Sequence, residues 1–180
     1  MSQSPPKTEP PSTGSPSMGS SSMGSSGVAS LVAGPTMGAL VGGCHLFPLR
    51  VYYEDTDAGG IVYHASYLRF AERARSEFLR VLGWPHERIR REIGLGWVVR
   101  RLSIDYRRPA LLDEALLVVT RVQSLSGSRL FLRQGLRRQQ DDTGELAVLD
   151  LELVLLKADG RPSRIPAPLA DAIRPFLPAD

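Results

Sequence analysis

One long amphipathic segment followed by four strand-like runs is the feature that most limits the possible folds. In residues 64–82 apolar side chains recur every three or four positions, which is the period of an α-helix with one buried face. The runs 96–107, 115–125, 129–139 and 145–157 are rich in aliphatic and β-branched residues, and most are joined by short turns that contain glycine. This order predicts an antiparallel meander with one helix packed on one face of the sheet.

The remaining segments predict shorter elements around this frame. Residues 46–53 predict a first strand, and Pro48 places that part of it at a strand end or edge. Residues 86–93 predict a short helix, and residues 167–177 predict a closing helix. The fold class is therefore α+β, a curled antiparallel sheet wrapped around one long central helix. Five charged residues of that helix fall mostly off its apolar stripe and are expected on its outer side: Arg69, Glu72, Arg73, Arg75 and Glu77.

Composition divides the chain near residue 44. Residues 1–44 consist largely of serine, proline, glycine and methionine, and their only charged residues are Lys7 and Glu9. Such a segment cannot bury enough apolar surface to offset its chain entropy, so we predict a disordered tail. Residues 45–180 hold both tryptophans, all five tyrosines and all five phenylalanines, and we expect them to form one globular domain.

Charge and cysteine content exclude several classes of protein. The net charge is only +3, and no compact basic run indicates a nucleic-acid partner. Cys44 is the single cysteine, so no intrachain disulfide can form, which fits a reducing compartment and a cytoplasmic location. Residues 28–43 are mildly apolar but too short and too rich in glycine to span a bilayer. No metal-ligand cluster or dinucleotide motif is present, and we expect neither a metal nor a cofactor.

Residues 52–67 bring together three features that suit acyl transfer. Asp55 and Asp57 lie in a short turn, and Gly59 and Gly60 let the backbone pass close to a ligand. A helix begins a few residues later, and its first N–H groups carry partial positive charge because they have no partner inside the helix. Those groups can polarise a carbonyl oxygen while a carboxylate attacks or activates water. The structural alternative is a solvated acidic turn that precedes a helix start.

This stretch resembles the signature of the 4-hydroxybenzoyl-CoA thioesterase family, in the branch of bacterial Tol–Pal-associated acyl-CoA thioesterases. The resemblance runs without a gap from Tyr53 to Tyr67 and extends over about residues 46–175. Further matching positions are Phe70, Glu72, Arg73, Ala74, Arg75, Val98, Val99, Arg100, Asp105, Tyr106, Pro109, Ala110, Leu112 and Asp113. It implies the hotdog fold, in which a curled antiparallel sheet wraps around one central helix. It also implies hydrolysis of an acyl-CoA, with a short or medium chain, to a free acid and CoA.

The resemblance implies roles for individual residues. Asp57 would be the catalytic carboxylate, acting either as nucleophile or as general base, and the His64 amide would polarise the thioester carbonyl while its side chain helps position water or the acyl group. Residues expected to shape the substrate site are Tyr53, Asp55, Gly59, Gly60 and Tyr63. Arg129, in the turn at 126–129, is a candidate for contact with the CoA nucleotide. Glu72 is a rival carboxylate, because related hotdog enzymes use a helix glutamate, but the intact Asp-x-Asp turn favours a structural role for it.

Association with other molecules is also implied by the resemblance. A homodimer or homotetramer is expected, in which subunits pair edge to edge and each site is lined by both chains. A cell-envelope or acyl-carrier protein is a further candidate partner, which would bring the protein to the periphery of the inner membrane. The main alternative function is a non-catalytic hotdog scaffold or acyl-carrier-binding module. A hotdog dehydratase is a third interpretation and would need a histidine facing a carboxylate across the dimer. Asp57 and the glycines after it favour catalysis.

Overall fold

A computed structural model describes residues 36–140 and 144–178 of the chain. Six strands and three α-helices are present in that part, with a 3-10 turn before the first helix and another after the last. They are β1 (Ala39–Val41), β2 (Cys44–Arg50), a 3-10 turn (Tyr53–Asp55), α1 (His64–Val81), α2 (His86–Ile93), β3 (Leu95–Tyr106), β4 (Ala115–Ser126), β5 (Arg129–Arg138), β6 (Glu145–Lys157), α3 (Ala167–Ile173) and a 3-10 turn (Arg174–Phe176). No helix among these is long and apolar enough to cross a membrane.

The strands form one antiparallel sheet in the order β1-β2-β4-β5-β6-β3. Strands β3 to β6 and helices α1 and α2 match the predicted segments to within two residues at each end. The predicted α+β class with one long central helix is therefore confirmed. Strand β3 comes first of the four in sequence, but among the described strands it pairs only with β6, so it lies at one edge of the sheet.

Helix α1 supplies the centre of the hydrophobic core. Phe70, Ala71 and Ala74 have no exposed surface, and Phe78 is 2% exposed, so the predicted apolar stripe is the buried face. Leucines from β4, β5 and β6 pack against it. The helix stops where the sequence indicates, because Gly83 adopts the left-handed conformation (φ 78°) that closes helices at low steric cost.

Pro48 occupies an edge position, as predicted. Strand β1 pairs with residues 44–46 of β2, whereas residues 47–50 pair with β4 alone. A proline has no amide hydrogen to donate, so it is tolerated on the uncovered part of β2.

The beginning of the domain differs from the predicted boundary. Residues 1–35 of the predicted tail lie outside the described residues, as does the turn expected at 141–143. Residues 36–44 are described, and most of them form a hairpin with β2. The side chain of His45 is completely buried, and its Nε2 lies 2.7 Å from the carbonyl oxygen of Met37. The sequence did not predict this hairpin, because the composition there is dominated by small residues and because strand β1 is only three residues long.

Arg75 is buried, although its position off the apolar stripe predicts an exposed side chain. It retains only 7% of its accessible surface and donates a hydrogen bond from Nη1 to Gln134 Oε1 at 2.8 Å. Its Nη2 is paired with Glu72, one turn earlier on α1. The Nε2 group of Gln134 in turn donates to the carbonyl oxygen of Ala71 and to Thr120 Oγ1, both at 3.0 Å. Burial of the guanidinium is therefore compensated by a polar network between α1 and the sheet.

Candidate active site

Asp57 begins a tight turn that holds its carboxylate in one orientation. The Gly59 amide donates to Asp57 Oδ1 at 2.8 Å, and the Gly60 amide donates to the Asp57 carbonyl oxygen at 3.0 Å. The Asp57 amide donates to the Ile61 carbonyl oxygen at 2.9 Å, which closes the turn. Oδ2 accepts no hydrogen bond from any residue in the described ranges, so one carboxylate oxygen is held and the other is available to a ligand.

The glycines make this turn possible for separate reasons. Gly60 has φ of 77°, a left-handed conformation that a residue with a Cβ adopts only at a cost. A Cβ on Gly59 would lie 3.1 Å from Asp57 Oδ1, so a side chain there would press against the carboxylate. That the two glycines let the backbone pass close to a ligand stays a prediction.

Asp55 is an internal support of the turn. It is 1% exposed, its Oδ2 accepts a hydrogen bond from the Tyr52 amide at 3.0 Å, and its Oδ1 lies 3.7 Å from Arg69 Nη2. Its carbonyl oxygen accepts hydrogen bonds from the Tyr63 amide at 2.8 Å and from Ser66 Oγ at 2.9 Å. Asp55 thus ties the Asp57 turn to the first turn of α1 and lines none of the clefts around Asp57.

The beginning of α1 presents free amide hydrogens, as predicted. The His64 and Ala65 amides donate to no described residue, whereas the Ser66 amide donates to the Tyr63 carbonyl oxygen at 2.8 Å. Free N–H groups at a helix start attract electron-rich atoms, because the helix dipole adds to their partial positive charge. From the end of β3, Tyr106 Oη donates to the His64 carbonyl oxygen at 2.9 Å. This bond fixes the first helical turn relative to the sheet.

Asp57 and His64 open onto the same cleft, which has a volume of about 340 Å³. Its walls are mainly apolar and aromatic and come from the turn, the start of α1 and the segment after β3. The lining residues are Asp57, Ile61, Val62, His64, Tyr67, Tyr106, Arg107, Arg108 and Pro109. Burial raises the pKa of Tyr67 and of Tyr106, so both hydroxyl groups stay protonated at neutral pH.

Several cleft residues were not singled out as site residues from the sequence. Tyr106 and Pro109 match the family pattern, but Arg107 and Arg108 carry no motif of their own. Arg107 is held by Asp105, with Nε 2.8 Å from Oδ2, and by Glu145, with Nη1 3.1 Å from Oε2. The pKa of Arg107 is raised chiefly by the hydrogen bond to Asp105, so the cleft rim keeps a positive charge. The position of these two arginines at the end of the predicted strand 96–107 was the only signal that the sequence offered.

Other predicted site residues surround Asp57 more loosely. Tyr53 is 82% exposed and, with Asp57 and Gly60, lines a second, open recess on another side of the turn. Tyr63 is half-exposed, and its ring lies against the ring of His64 with centroids 4.3 Å apart. The structure therefore brings Tyr53, Gly59, Gly60 and Tyr63 next to Asp57 or His64, although none of these four lines the cleft onto which Asp57 and His64 open.

Two predicted candidates lie elsewhere. Arg129 begins β5, whereas Arg138 at the far end of β5 donates to the carbonyl oxygen of Pro109 in the cleft wall. These arginines are nine positions apart along the strand, a distance of about 30 Å, and Arg129 is paired with Glu152 at 3.4 Å. Glu72 is bound to Arg75 and lines a separate cavity of about 50 Å³. Neither Arg129 nor Glu72 lines the clefts that contain Asp57.

The chemistry available at the cleft is that of a carboxylate beside an electrophilic helix start. Asp57 offers an oxygen that can bond to a carbonyl carbon or accept a proton from water. The His64 and Ala65 amides can receive the negative charge that then develops on the carbonyl oxygen. No group of three or more histidine, cysteine, aspartate or glutamate side chains arranged for a metal ion occurs within residues 36–140 and 144–178.

Comparison with known proteins identifies the family of this chain. Residues 51–173 match the family model described as the thioesterase-like superfamily. The chain is 51% identical over 92 residues to the acyl-CoA thioesterase YbgC of Haemophilus influenzae, which covers 51% of this chain and 68% of that protein. It is 38% identical over 124 residues to the acyl-CoA thioester hydrolase YbgC of Escherichia coli O6:H1, which covers 67% and 92%.

A solved structure extends the comparison to three dimensions. The crystal structure of a probable thioesterase from Bartonella henselae superimposes with a TM-score of 0.64 at 39% identity, covering 68% of this chain and 99% of that one. The hotdog fold implied by the sequence resemblance is thereby confirmed. The matched residues 51–173 contain the Asp57 turn, the start of α1 and the whole cleft wall. The chain belongs to the thioesterase-like superfamily.

Proposed function

We propose that this acyl-CoA thioester hydrolase acts in the Asp57 cleft, with Asp57 as the catalytic carboxylate and the His64 amide as the donor to the thioester carbonyl. One observation carries the assignment of the site: the free oxygen of Asp57 and the free amides at the start of α1 open onto the same cleft. The activity itself rests on the family and on the acyl-CoA thioesterases that the chain resembles.

Two reaction courses fit this placement. In the first, Asp57 Oδ2 bonds to the carbonyl carbon, the C–S bond breaks with CoA leaving as thiolate, and water then hydrolyses the acyl–aspartyl anhydride. In the second, Asp57 accepts a proton from a water molecule as the water oxygen bonds to the carbonyl carbon, and the proton passes to the departing sulfur. Both courses place negative charge on the carbonyl oxygen, where the His64 amide stabilises it. The side chain of His64 helps to position water or the acyl group.

The substrate class follows from the walls of the cleft. Apolar and aromatic residues suit an acyl group, and a short or medium chain fits a cleft of about 340 Å³. An aromatic acyl group, as in the 4-hydroxybenzoyl-CoA thioesterases that the sequence resembles, is a second option. Tyr53, Asp55, Gly59, Gly60 and Tyr63 support or border the site from the turn. Arg129 keeps its proposed role at the CoA nucleotide only if another subunit contributes it, because it lies at the opposite end of β5.

Pairing through β3 would supply that second subunit. In the part of the chain that the structure describes, this strand of 12 residues is hydrogen-bonded to β6 on one side only, and Val98 and Val99 are 41% and 45% exposed. Long apolar edge strands favour pairing with another chain. Antiparallel pairing of two copies of β3 would set the Trp97 end of one strand beside the Tyr106 end of the other, at the open side of the Asp57 cleft. A homodimer, or a homotetramer of two such pairs, is therefore proposed, and a monomer at micromolar concentration in light scattering would contradict it.

Location and further partners rest on the sequence resemblance. We propose a cytoplasmic protein that associates peripherally with the inner membrane through a Tol–Pal-type cell-envelope protein or an acyl-carrier protein. The alternative function, a non-catalytic scaffold or acyl-carrier-binding module, would leave the free oxygen of Asp57 and the open amides of α1 without a role.

Asp57→Asn tests the proposal. Asparagine keeps an oxygen that can accept the Gly59 hydrogen bond, so the turn should persist while the negative charge is lost. We expect kcat on a panel of acyl-CoA esters, followed with a thiol reagent, to fall at least ~100-fold.

Asp159→Asn is the matched control. Asp159 Oδ1 accepts a hydrogen bond from the amide two residues later, at Arg161, in the same kind of turn but far from the cleft. Its turnover should equal that of the wild type. Full activity of Asp57→Asn would reject the site, and a folded wild type that hydrolyses no CoA ester would favour the scaffold.

A further inference from the structure

Tyr67 makes an unusual contact for a residue of the apolar stripe. It is 3% exposed, and its ring packs edge-on against Phe70 and Tyr106. Its hydroxyl oxygen nevertheless accepts a hydrogen bond from the Ala110 amide at 2.9 Å. Ala110 is completely buried, so this amide would lack a partner without the phenol oxygen.

The contact continues to the catalytic turn through backbone hydrogen bonds. The Ala110 carbonyl oxygen accepts a hydrogen bond from the Val62 amide at 2.9 Å, and an isolated β-bridge joins Ile61 to Leu111. The Ile61 carbonyl oxygen accepts a hydrogen bond from the Asp57 amide, and a second β-bridge joins Val62 to Thr56 on the other side of the turn. Segment 109–112 is thus held by Tyr67 on one side and holds the Asp57 turn on the other.

These contacts connect the two parts that the proposed reaction needs. The His64 amide belongs to α1, and Tyr67 lies one turn further along the same helix, within the same rigid element. Asp57 is outside the helix, and its position relative to His64 depends on how the turn is attached. Asp55 provides one attachment, through its carbonyl oxygen to Tyr63 and Ser66. Tyr67 provides another, through Ala110 and Val62.

We infer that Tyr67 is a positioning residue, whose phenol oxygen, through Ala110 and Val62, sets the carboxylate of Asp57 relative to the amides at the start of α1. The inference rests on the proposed function, because it assigns Tyr67 a role at that same site. Reaction rates depend steeply on such positions: a displacement of about 1 Å can cost on the order of 100-fold. Substrate binding by the cleft walls depends on them much less.

Tyr67→Phe tests this inference, because it removes the hydroxyl group and keeps the ring. We expect kcat for an acyl-CoA ester to fall about 10- to 100-fold while KM stays within about threefold. Amide hydrogen exchange in a peptide that covers residues 57–63 should accelerate, because the buried Ala110 amide no longer has its acceptor. Tyr52→Phe is the control, because it removes the hydroxyl from a tyrosine that is 60% exposed. It should change neither kcat nor the rate of amide exchange in residues 57–63.

The outcomes separate this inference from the proposed function. If Asp57→Asn loses turnover but Tyr67→Phe keeps the kcat of the wild type, Tyr67 does not position Asp57. A raised KM with unchanged kcat would also overturn the inference, because the hydroxyl group would then bind substrate. If activity per folded molecule recovers fully at low temperature, where the variant is folded, the role of Tyr67 is only structural. If Asp57→Asn itself retains turnover, the proposed site is wrong, whatever Tyr67→Phe does.

Discussion

Polar groups at the start of α1 and polar groups at its middle differ in whether they have hydrogen-bond partners. At the start, the His64 and Ala65 amides and one oxygen of Asp57 have no partner among the described residues and open onto a cleft. In the middle, Arg75 and Gln134 are buried and hydrogen-bonded to each other. The same helix therefore borders a region of polar groups without hydrogen-bond partners and, about two to three turns further along, a region of polar groups that are hydrogen-bonded.

In the interior, hydrogen bonds between polar groups stabilise the fold, whereas at the cleft the polar groups remain available to a ligand. A buried polar group without a partner costs about 1–3 kcal/mol, so the interior network must be complete. At the cleft the open groups remain in contact with solvent and avoid that cost. Changes in the interior network should therefore lower stability, and changes at the turn should lower activity.

The largest expected effect is on stability, from Gln134→Leu. The side chain of Gln134 has no exposed surface and makes hydrogen bonds to Arg75, Thr120 and the carbonyl oxygen of Ala71. Leucine would leave the buried guanidinium without one of its partners, and we expect the free energy of unfolding in urea to fall by about 3 kcal/mol. The kcat of the folded fraction should stay within about threefold of the wild type. Gln123→Leu, at an exposed position of β4, is the control and should be nearly neutral.

A smaller effect, on activity, is expected from Gly60→Ala. Nothing lies within 4 Å of a Cβ at this position, so the cost comes from the left-handed φ of 77° and is about 1 kcal/mol. We expect the turn to relax and kcat to fall roughly tenfold. Gly43→Ala is a matched control: its φ is 72°, its Cβ is equally unobstructed, and it lies in the turn between β1 and β2, at the sheet edge opposite β3. Equal kcat values for the two variants would contradict the importance of the turn.

The smallest effect concerns His45, which is buried but only half satisfied. The Met37 carbonyl can only accept, so Nε2 carries the hydrogen, while Nδ1 is buried without a partner among the described residues. Burial lowers the pKa of His45 below its usual value of 6.5, so the folded state favours the neutral ring. The unfolded chain then binds more protons as pH falls through 6.5, and stability should decrease from there down to the pKa of the folded state.

Urea unfolding at several pH values between about 7.5 and 5 checks this dependence. His45→Gln keeps a donor for Met37 and cannot titrate, so it should reduce the slope of unfolding free energy against pH. An unaltered slope in His45→Gln would show that His45 does not contribute.

Periodicity and turn residues predict most of this fold. The stripe in residues 64–82 and the four strand runs depend on local sequence, because helix and sheet each bury one face at a fixed period. The buried position of Arg75 could not be predicted in this way. Its helical angle places it beside the stripe, and its burial is compensated by Gln134, 59 residues later, in addition to Glu72. Partners from distant strands leave no trace in a local pattern.

The candidate site likewise combines features that local sequence predicts with features that only tertiary structure decides. From the sequence alone came the Asp57 turn, its glycines and the helix start at His64, because an acidic turn, left-handed glycines and unpaired amides are all local features. Tertiary structure alone decided that Tyr106, Arg107 and Pro109 complete the cleft, that Tyr67 supports the turn through Ala110, and that Arg129 lies at the other end of the sheet. The physical reason is that strand pairing sets which distant segments share an end of the sheet, and that pairing is a property of the whole domain.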